Sequence, residues 1–294
     1  MKKIVLSLSA ALLLFMSCDK VSLPIVSKTT AEGSVYVKNS NAAVSDYKKV
    51  LLEDYTGQRC PNCPSAASLI KGTLSPQYST TLIPIAVHQG NTFAKPFGEF
   101  KNDFRTTAGE SWGAAAGFGI DSWPTGLINR KNYGSNGIKL TSSKWSSIIP
   151  LALADPFVVK LNVSTEYDTT TRALNVFVKG TFKTSYPNAV KLCAIYTEDG
   201  LVGPQDNQGT VIEEYEFEHM VRGDINGTWG IDLTTAAAAV NDSAKWSVKG
   251  FALPLIGGMN DKGLNINDKN VSVVVFAYDA ISREVLQAEK VKIR

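Results

Sequence analysis

Residues 53–64 read EDYTGQRCPNCP, and this stretch decides the fold. Cys60 and Cys63 are separated by two residues and follow an apolar run at residues 49–55 that is typical of a buried strand. A helix is predicted over residues 60–74, because Pro61 is tolerated in a first helical turn and residues 75–76 (Ser-Pro) end the pattern. The sequence therefore places a pair of cysteines where a strand turns into a helix.

That position suits reversible disulfide chemistry. A helix N-terminus offers free N–H groups and the positive end of the helix dipole, and both stabilise a thiolate at Cys60. Arg59 can add to this effect through its positive charge. Cys63 lies one turn further on, within reach of a mixed disulfide formed at Cys60. We predict one disulfide, Cys60–Cys63, with Cys60 as the nucleophile.

Two further patterns resemble the thioredoxin superfamily. Asp54 stands six residues before Cys60, where thioredoxins carry a buried acid that accepts a proton. Residues 119–125 (GIDSWPT) resemble the loop that presents a cis-proline to the cysteines. The resemblance implies a catalytic set of Cys60, Cys63 and Asp54, and a substrate-binding set that consists of Trp123, Pro124 and Thr125.

Other roles for the two cysteines can be weighed from the sequence. A c-type haem would need histidine at position 64, which is Pro64. A structural zinc site needs four ligands, and the remaining candidates are scattered over the chain as Cys193, His88 and His219. We therefore expect no metal and no cofactor, with Cys193 a buried thiol. A purely structural Cys60–Cys63 disulfide stays open, since an oxidising compartment would keep the pair bonded.

The first residues are typical of an export signal. Residues 1–17 combine two lysines with an apolar run too short to span a bilayer, which predicts a signal peptide. Residues 15–18 (FMSC) resemble a lipobox, which implies a lipid on Cys18 and attachment to a membrane through it. Residues 18–46 are polar and are expected to form a tether, although residues 34–38 can add a strand to the domain that follows.

The net charge of the chain indicates which classes of partner to expect. The chain has 294 residues and a net charge of +3, which falls to +1 when the two lysines of residues 1–17 are removed. A nearly neutral mature chain does not favour nucleic-acid binding. We expect protein substrates that carry disulfides or thiols, and no nucleic acid.

Two domains are predicted. Residues 47–152 alternate strands with helices and read as an α/β thioredoxin-like domain. Residues 153–294 contain a series of alternating strands and read as an all-β immunoglobulin-like sandwich. Within the first domain, Pro84 argues that the strand at residues 81–87 is irregular or lies at an edge.

The first domain also carries an insertion, at residues 89–107, with a helix expected around residues 99–105. Aromatic side chains in and just after the insertion are expected to form local core, with a lid over the cysteines as the alternative; they are Phe93, Phe97, Phe100, Phe104 and Trp112.

The chain as a whole resembles the outer-membrane-protein-28-related lipoproteins of Gram-negative bacteria. The lipobox, the polar tether, residues 51–64 and segments such as residues 196–200 and 226–230 carry this resemblance. It implies an exported lipoprotein of the outer membrane, on its periplasmic face or at the cell surface. Two functions fit: thiol–disulfide exchange on extracytoplasmic proteins, or a non-catalytic role in surface binding or adhesion with the thioredoxin fold as scaffold.

Overall fold

The computed structural model describes residues 36–40 and 46–294, which belong to one compact unit. The predicted signal peptide, the lipid-acceptor Cys18 and most of the predicted tether lie outside the described residues. Within the described part, no helix has both the length and the apolar character that crossing a bilayer requires.

The protein is a mixed α/β, sheet-rich molecule. Its helices are α1 (Cys63–Leu69), α2 (Ser75–Gln77), α3 (Thr107–Gly113) and α4 (Ser142–Leu153), with a π-helical turn, Ile70–Leu74, between α1 and α2. Its strands are β1 (Tyr36–Ser40), β2 (Val50–Thr56), β3 (Leu82–His88), β4 (Thr125–Ile128), β5 (Val159–Asp168), β6 (Ala173–Phe182), β7 (Val190–Glu198), β8 (Leu201–Asn207), β9 (Thr210–Phe217), β10 (Met220–Asp224), β11 (Ile231–Thr234), β12 (Ser243–Ala252), β13 (Val271–Asp279) and β14 (Val285–Lys292).

The largest sheet runs through both halves of the chain. Its order is β14-β13-β7-β10-β3-β2-β4, and β11 pairs with β7 beside this path. β2 pairs in parallel with β3 and antiparallel with β4. Met220 of β10 lies opposite Ala86 of β3, whose N–H donates to the carbonyl of His219 at 2.8 Å. The domain boundary at residues 152–153 stays a prediction, and main-chain pairing crosses it.

The strand that contains Pro84 is inside this sheet rather than at its edge. Pro84 lies opposite Leu52 in regular register, so the expected edge position is wrong. The N–H of Ala86 points toward β10, and Pro84, two residues earlier, faces the same side. β10 pairs with β3 only at Ala86, so the missing N–H of Pro84 leaves no sheet acceptor unfilled.

A second sheet, of order β1-β5-β6-β12, packs on β7, β13 and β14 of the large sheet. Alternate residues of β5, such as Leu161 and Val163, are buried between the two sheets, as their period of two predicts. β1 pairs antiparallel with β5. The extra strand therefore joins the second half of the chain, and the expectation that it extends the first predicted domain is wrong.

Two further apolar cores lie between the large sheet and the helices. One packs α1 and α4 against β2, β3 and β4, with Trp145 fully buried. The other packs α3 on the opposite face, where Trp112 meets Phe276 of β13 at a ring distance of 6.3 Å. Because this second core contains side chains from both predicted domains, the two halves share apolar packing as well as strands.

The helix of the insertion begins later than expected. Residues 101–106 are not helical, and the predicted helix at residues 99–105 is replaced by α3. The Thr106 hydroxyl accepts from the N–H of Gly109 and so caps α3 at its first turn. The Asp103 carboxylate accepts from the N–H and the guanidinium of Arg105, which fixes the preceding residues as a loop.

Candidate functional site

The two cysteines are joined as a disulfide at the carboxyl end of β2. Their Cα atoms are 5.4 Å apart, and the predicted pairing of Cys60 with Cys63 is confirmed. Cys60 precedes α1 in a turn in which its N–H donates to the Gly57 carbonyl at 3.0 Å. The helix starts at Cys63, three residues later than expected, with Pro64 in its first turn.

Both bonded cysteines are covered by other parts of the chain. The exposed fraction is 1% for Cys60 and 2% for Cys63. The cover is the hairpin of β8 and β9, which lies far away in sequence. The N–H of Asp206 donates to the Gln58 carbonyl at 2.8 Å, and the N–H of Gln208 donates to the Pro61 carbonyl at 3.1 Å.

Two glutamine side chains of the hairpin reinforce this contact. The amide of Gln205 donates to the Cys60 carbonyl at 3.1 Å, and Gln205 is itself 2% exposed. The amide of Gln208 donates to Oδ1 of Asn62 at 2.7 Å. The hairpin thus binds the main chain of residues 57–61 and closes that side of the disulfide.

The insertion closes another side. The N–H of Arg59 donates to the Phe93 carbonyl at 3.0 Å, and a Cβ atom at Gly57 would lie 2.6 Å from the Phe93 carbonyl carbon. The Arg59 guanidinium donates to the Lys95 carbonyl at 3.0 Å and lies 5.2 Å from the centre of the Phe97 ring. The charge of Arg59, expected to act on Cys60, is therefore engaged by the insertion.

Most of the insertion aromatics are buried in core, as expected, but this core is shared with distant parts of the chain: Phe104 packs against Phe217 and Trp112 against Phe276. Trp112, Phe104 and Phe100 are buried, whereas Phe97 is 73% exposed. Phe93 packs edge-on against Trp123, with ring centres 5.7 Å apart. The insertion therefore connects the cysteine turn to residues 119–125.

The proline loop has the predicted backbone form. The peptide bond between Trp123 and Pro124 is cis. Ser122 and Thr125 share a hydrogen bond between their hydroxyls at 3.0 Å, and Thr125 begins β4 opposite Tyr55 of β2. The loop thus enters the sheet beside the strand that leads to the cysteines.

Asp54 lies buried in β2, six residues before Cys60, and forms no ion pair within the described part of the chain. It is 2% exposed, and its Oδ1 atom has no hydrogen-bond partner among the described residues. Burial disfavours the charged carboxylate and raises the pKa of Asp54 to about 7. A carboxyl group with such a pKa can take up or release a proton near neutral pH.

A cavity of about 260 Å³ brings Asp54, His88 and Cys63 to one space. Thr56 of β2 is paired with His88 of β3, and Asp54 with Ala86, so these four residues share one face of the sheet. The ring of His88 packs edge-on against Phe104 and Phe217 at 5.4 and 5.6 Å. Burial lowers the pKa of His88 to about 3, so its imidazole is neutral at ordinary pH.

Neither the hairpin that covers the disulfide nor the cavity beside it was predicted from the sequence. The sequence offers His88 only as a scattered candidate metal ligand, whereas in the structure it borders the cavity and its Nδ1 atom finds no partner within the described part of the chain. Gln205 and Gln208 lie in an ordinary alternating strand and a tight turn. No local pattern marks them, because their partners at residues 57–62 are joined to them only by the tertiary fold.

Cys193 lies away from this site. It is a free, buried thiol in β7, as predicted, and burial raises its pKa to about 12. In the described ranges, 36–40 and 46–294, no group of three or more His, Cys, Asp and Glu side chains is arranged to hold a metal ion.

Three comparisons place the chain among known proteins. The family described as "Outer membrane protein Omp28" matches residues 114–294. The structure resembles HBP35 of Porphyromonas gingivalis with a TM-score of 0.58 and 16% identity, over 84% of this chain and 75% of that one. This likeness supports the fold alone.

A second solved structure is a domain of the outer membrane lipoprotein Omp28 from Porphyromonas gingivalis. It matches with a TM-score of 0.30 and 20% identity, over 46% of this chain and 88% of that one. A search of curated proteins found no match. Because the family match at residues 114–294 spans more than half of the chain, the protein belongs to the Omp28 family and is located at the outer membrane.

Proposed function

We propose that the Cys60–Cys63 pair performs thiol–disulfide exchange on proteins outside the cytoplasm. The observation that carries this proposal is the pairing of a disulfide at a strand–helix junction with a buried carboxyl, Asp54, in the same cavity. The finer assignment of the fold belongs to the same proposal: residues 47–152 are thioredoxin-like, and residues 153–294 are an immunoglobulin-like sandwich. The parallel β2–β3 pair, the antiparallel β4 and the cis-proline loop support it.

The proposed exchange balances without a metal or cofactor. In the reduced protein the Cys60 thiolate attacks a client disulfide, and one client thiolate leaves. The Cys63 thiol then loses its proton to Asp54 and attacks Sγ of Cys60, which releases the second client thiolate and re-forms the Cys60–Cys63 bond. Two electrons pass from the protein to the client. Trp123, Pro124 and Thr125 are proposed to align the client chain beside Cys60.

Attachment to the membrane is part of the proposal. The signal peptide at residues 1–17 would be removed, and a lipid on Cys18 would hold the protein at the outer membrane through the tether of residues 18–46. This arrangement would keep the exchange site close to proteins of the cell envelope.

Trapping tests the exchange. In the Cys63→Ala variant the second step cannot occur, so mixed disulfides between Cys60 and client proteins should accumulate and disappear on reduction. The matched control is the Cys60→Ala/Cys63→Ala double variant, which should trap nothing. An empty trap in the single variant, together with no reduction of insulin by the reduced protein, would show that the pair does not exchange with proteins.

One observation favours a second function. Both cysteines are covered by the hairpin and the insertion, as in a disulfide that only stabilises a loop. The protein would then be a non-catalytic surface binding or adhesion protein. In that case the Cys60→Ser/Cys63→Ser variant should keep full binding to cells or matrix proteins, and loss of binding in a folded variant would argue against it.

A further inference from the structure

The cavity beside the site is lined by one cysteine of the disulfide and not by the other. Of the two bonded cysteines in the described chain, Cys63 borders the cavity and Cys60 does not. Cys60 lies in a turn in which its N–H donates to the Gly57 carbonyl. The hairpin binds this turn through the Gln205 amide, which donates to the Cys60 carbonyl. The disulfide therefore has two unlike sides: a Cys60 side closed by the hairpin and a Cys63 side that faces an internal space.

The cavity is small and its entrance faces solvent. Its volume of about 260 Å³ lies below the range of about 300–1,000 Å³ that is typical of sites for drug-sized ligands. At its border Lys71 pairs with Glu216 at 2.9 Å and with Glu218 at 3.2 Å, and the side chains of Lys71 and Glu216 are more than half exposed. An exposed border and a volume this small suit a small molecule rather than a folded protein surface.

We propose that the pair is reduced by a low-molecular-weight thiol that enters this cavity and attacks Sγ of Cys63. The inference deepens the proposed exchange function and rests on it in one respect, namely that the pair is reduced in order to act again. Protein clients and the reductant would then use opposite sides of one disulfide: clients at Cys60 after displacement of the hairpin, and the small thiol at Cys63 with the hairpin in place.

The reduction balances with two thiol molecules. The first, as a thiolate, forms a bond to Sγ of Cys63, the Sγ–Sγ bond breaks, and Cys60 leaves as a thiolate that takes a proton. The second thiolate attacks the small molecule's own sulfur in the mixed disulfide, which releases Cys63 and a small symmetric disulfide. Two electrons enter the protein, and two thiols become one disulfide.

The lining of the cavity fits this reactant. Asp54 and His88 are nearly fully buried, and each presents a polar atom with no partner within the described chain. The Asp54 carboxylate can accept the proton of the entering thiol, and a neutral His88 adds no positive charge to the space. Ala67 and Ile70 supply apolar wall from the helical segment, which suits an uncharged thiol.

The decisive experiment fills the cavity in the full-length oxidised protein. The Ala67→Phe variant places a ring in the space, and Ser65→Phe is the matched control, because Ser65 is exposed on the same helix and does not line the cavity. The probe is β-mercaptoethanol, and reduction is followed by alkylation and mass spectrometry. We expect the control to react at the wild-type rate and Ala67→Phe to react at least tenfold more slowly. A wild-type rate in folded Ala67→Phe overturns the inference.

Two measurements on the wild-type protein need no variant. Acid quenching early in the reaction should find the β-mercaptoethanol adduct on Cys63, and an adduct on Cys60 overturns the inference. Reduction by a folded protein dithiol, reduced thioredoxin, should be at least tenfold slower than by β-mercaptoethanol, once each rate is divided by that reductant's rate on an exposed reference disulfide. Equal normalised rates overturn it. An empty Cys63→Ala trap with these results intact would reject protein exchange and leave small-thiol entry standing.

Discussion

Two neighbouring carboxyl groups, Glu53 and Asp54, are both buried but meet opposite environments. They point to opposite faces of β2, because successive side chains of a strand alternate. Glu53 accepts two hydrogen bonds from the Arg130 guanidinium, at 2.7 and 2.8 Å, and both residues are almost fully buried. Asp54 meets no such cation among residues 36–40 and 46–294, and burial raises its pKa. The charge of Glu53 is stabilised by Arg130, whereas Asp54 can take up and release a proton near neutral pH.

The raised pKa of Asp54 predicts a pH dependence of stability with a definite sign. The folded protein holds this proton up to about pH 7, while the unfolded chain releases it near the usual value of 3.8. Asp54 therefore lowers the free energy of unfolding as pH rises from about 4 through about 7. The Asp54→Asn variant does not titrate here. Between about pH 5 and pH 8 it should gain about 2–3 kcal/mol on the wild type.

Urea unfolding of the oxidised proteins at the two pH values measures this gain. The control is Asp261→Asn, which changes an exposed carboxyl to its amide and should keep the wild-type pH dependence. An Asp54→Asn difference that stays constant over the range would mean that Asp54 is ionised in the folded protein throughout.

Among the elements, the β8–β9 hairpin covers Cys60. Gln205 donates from its side chain to two carbonyls of the cysteine turn, those of Cys60 at 3.1 Å and Gly57 at 3.4 Å. Each such bond contributes about 1 kcal/mol, and a change of 1.4 kcal/mol is tenfold in an equilibrium. In Gln205→Ala the hairpin should therefore open more often, and reduction by a protein dithiol should speed up by roughly 5–20-fold.

The rate of reduction by reduced thioredoxin, followed by alkylation and mass spectrometry, tests the role of the hairpin. Gln77→Ala is the control, since Gln77 is exposed in α2 and should leave the rate unchanged. A Gln205→Ala rate equal to the wild-type rate, with the hairpin still folded, would show that its opening does not limit access.

What the sequence could and could not predict follows from the range of the interactions. β2, the helical segment after it and the cis-proline loop were recognisable because each depends on residues adjacent in the chain. The alternating strands of the second half, such as β5, were likewise recognisable from their period of two. α3 was misplaced because a single side-chain cap at Thr106, and not the apolar pattern, sets its start. The hairpin cover could not be predicted, because it joins residues about 145 positions apart.

At the scale of the whole molecule, the two predicted domains are connected by secondary structure and by a common core. β10 lies between β3 and β7, so the large sheet has no gap at the boundary. Arg130, from the first half, lies 4.8 Å from the centre of the Phe276 ring and 5.8 Å from that of Tyr278 in the second. Removing either half would expose apolar surface that the other half now covers.

This shared core predicts that the two halves unfold together. Hydrogen exchange in increasing urea should give the same opening free energy for amides of β2 and β13, since the core that packs α3 on the sheet contains Leu51 and Phe276 together.

A mutation in this core should also act across the boundary. Phe276→Ala removes a buried ring and should cost about 3–5 kcal/mol, and peptides from β2 should lose as much protection as peptides from β13. Phe97→Ala, at an exposed aromatic, is the control and should change neither. If the β13 peptides lost protection while the β2 peptides kept theirs, the halves would be independent domains that touch only through a sheet edge.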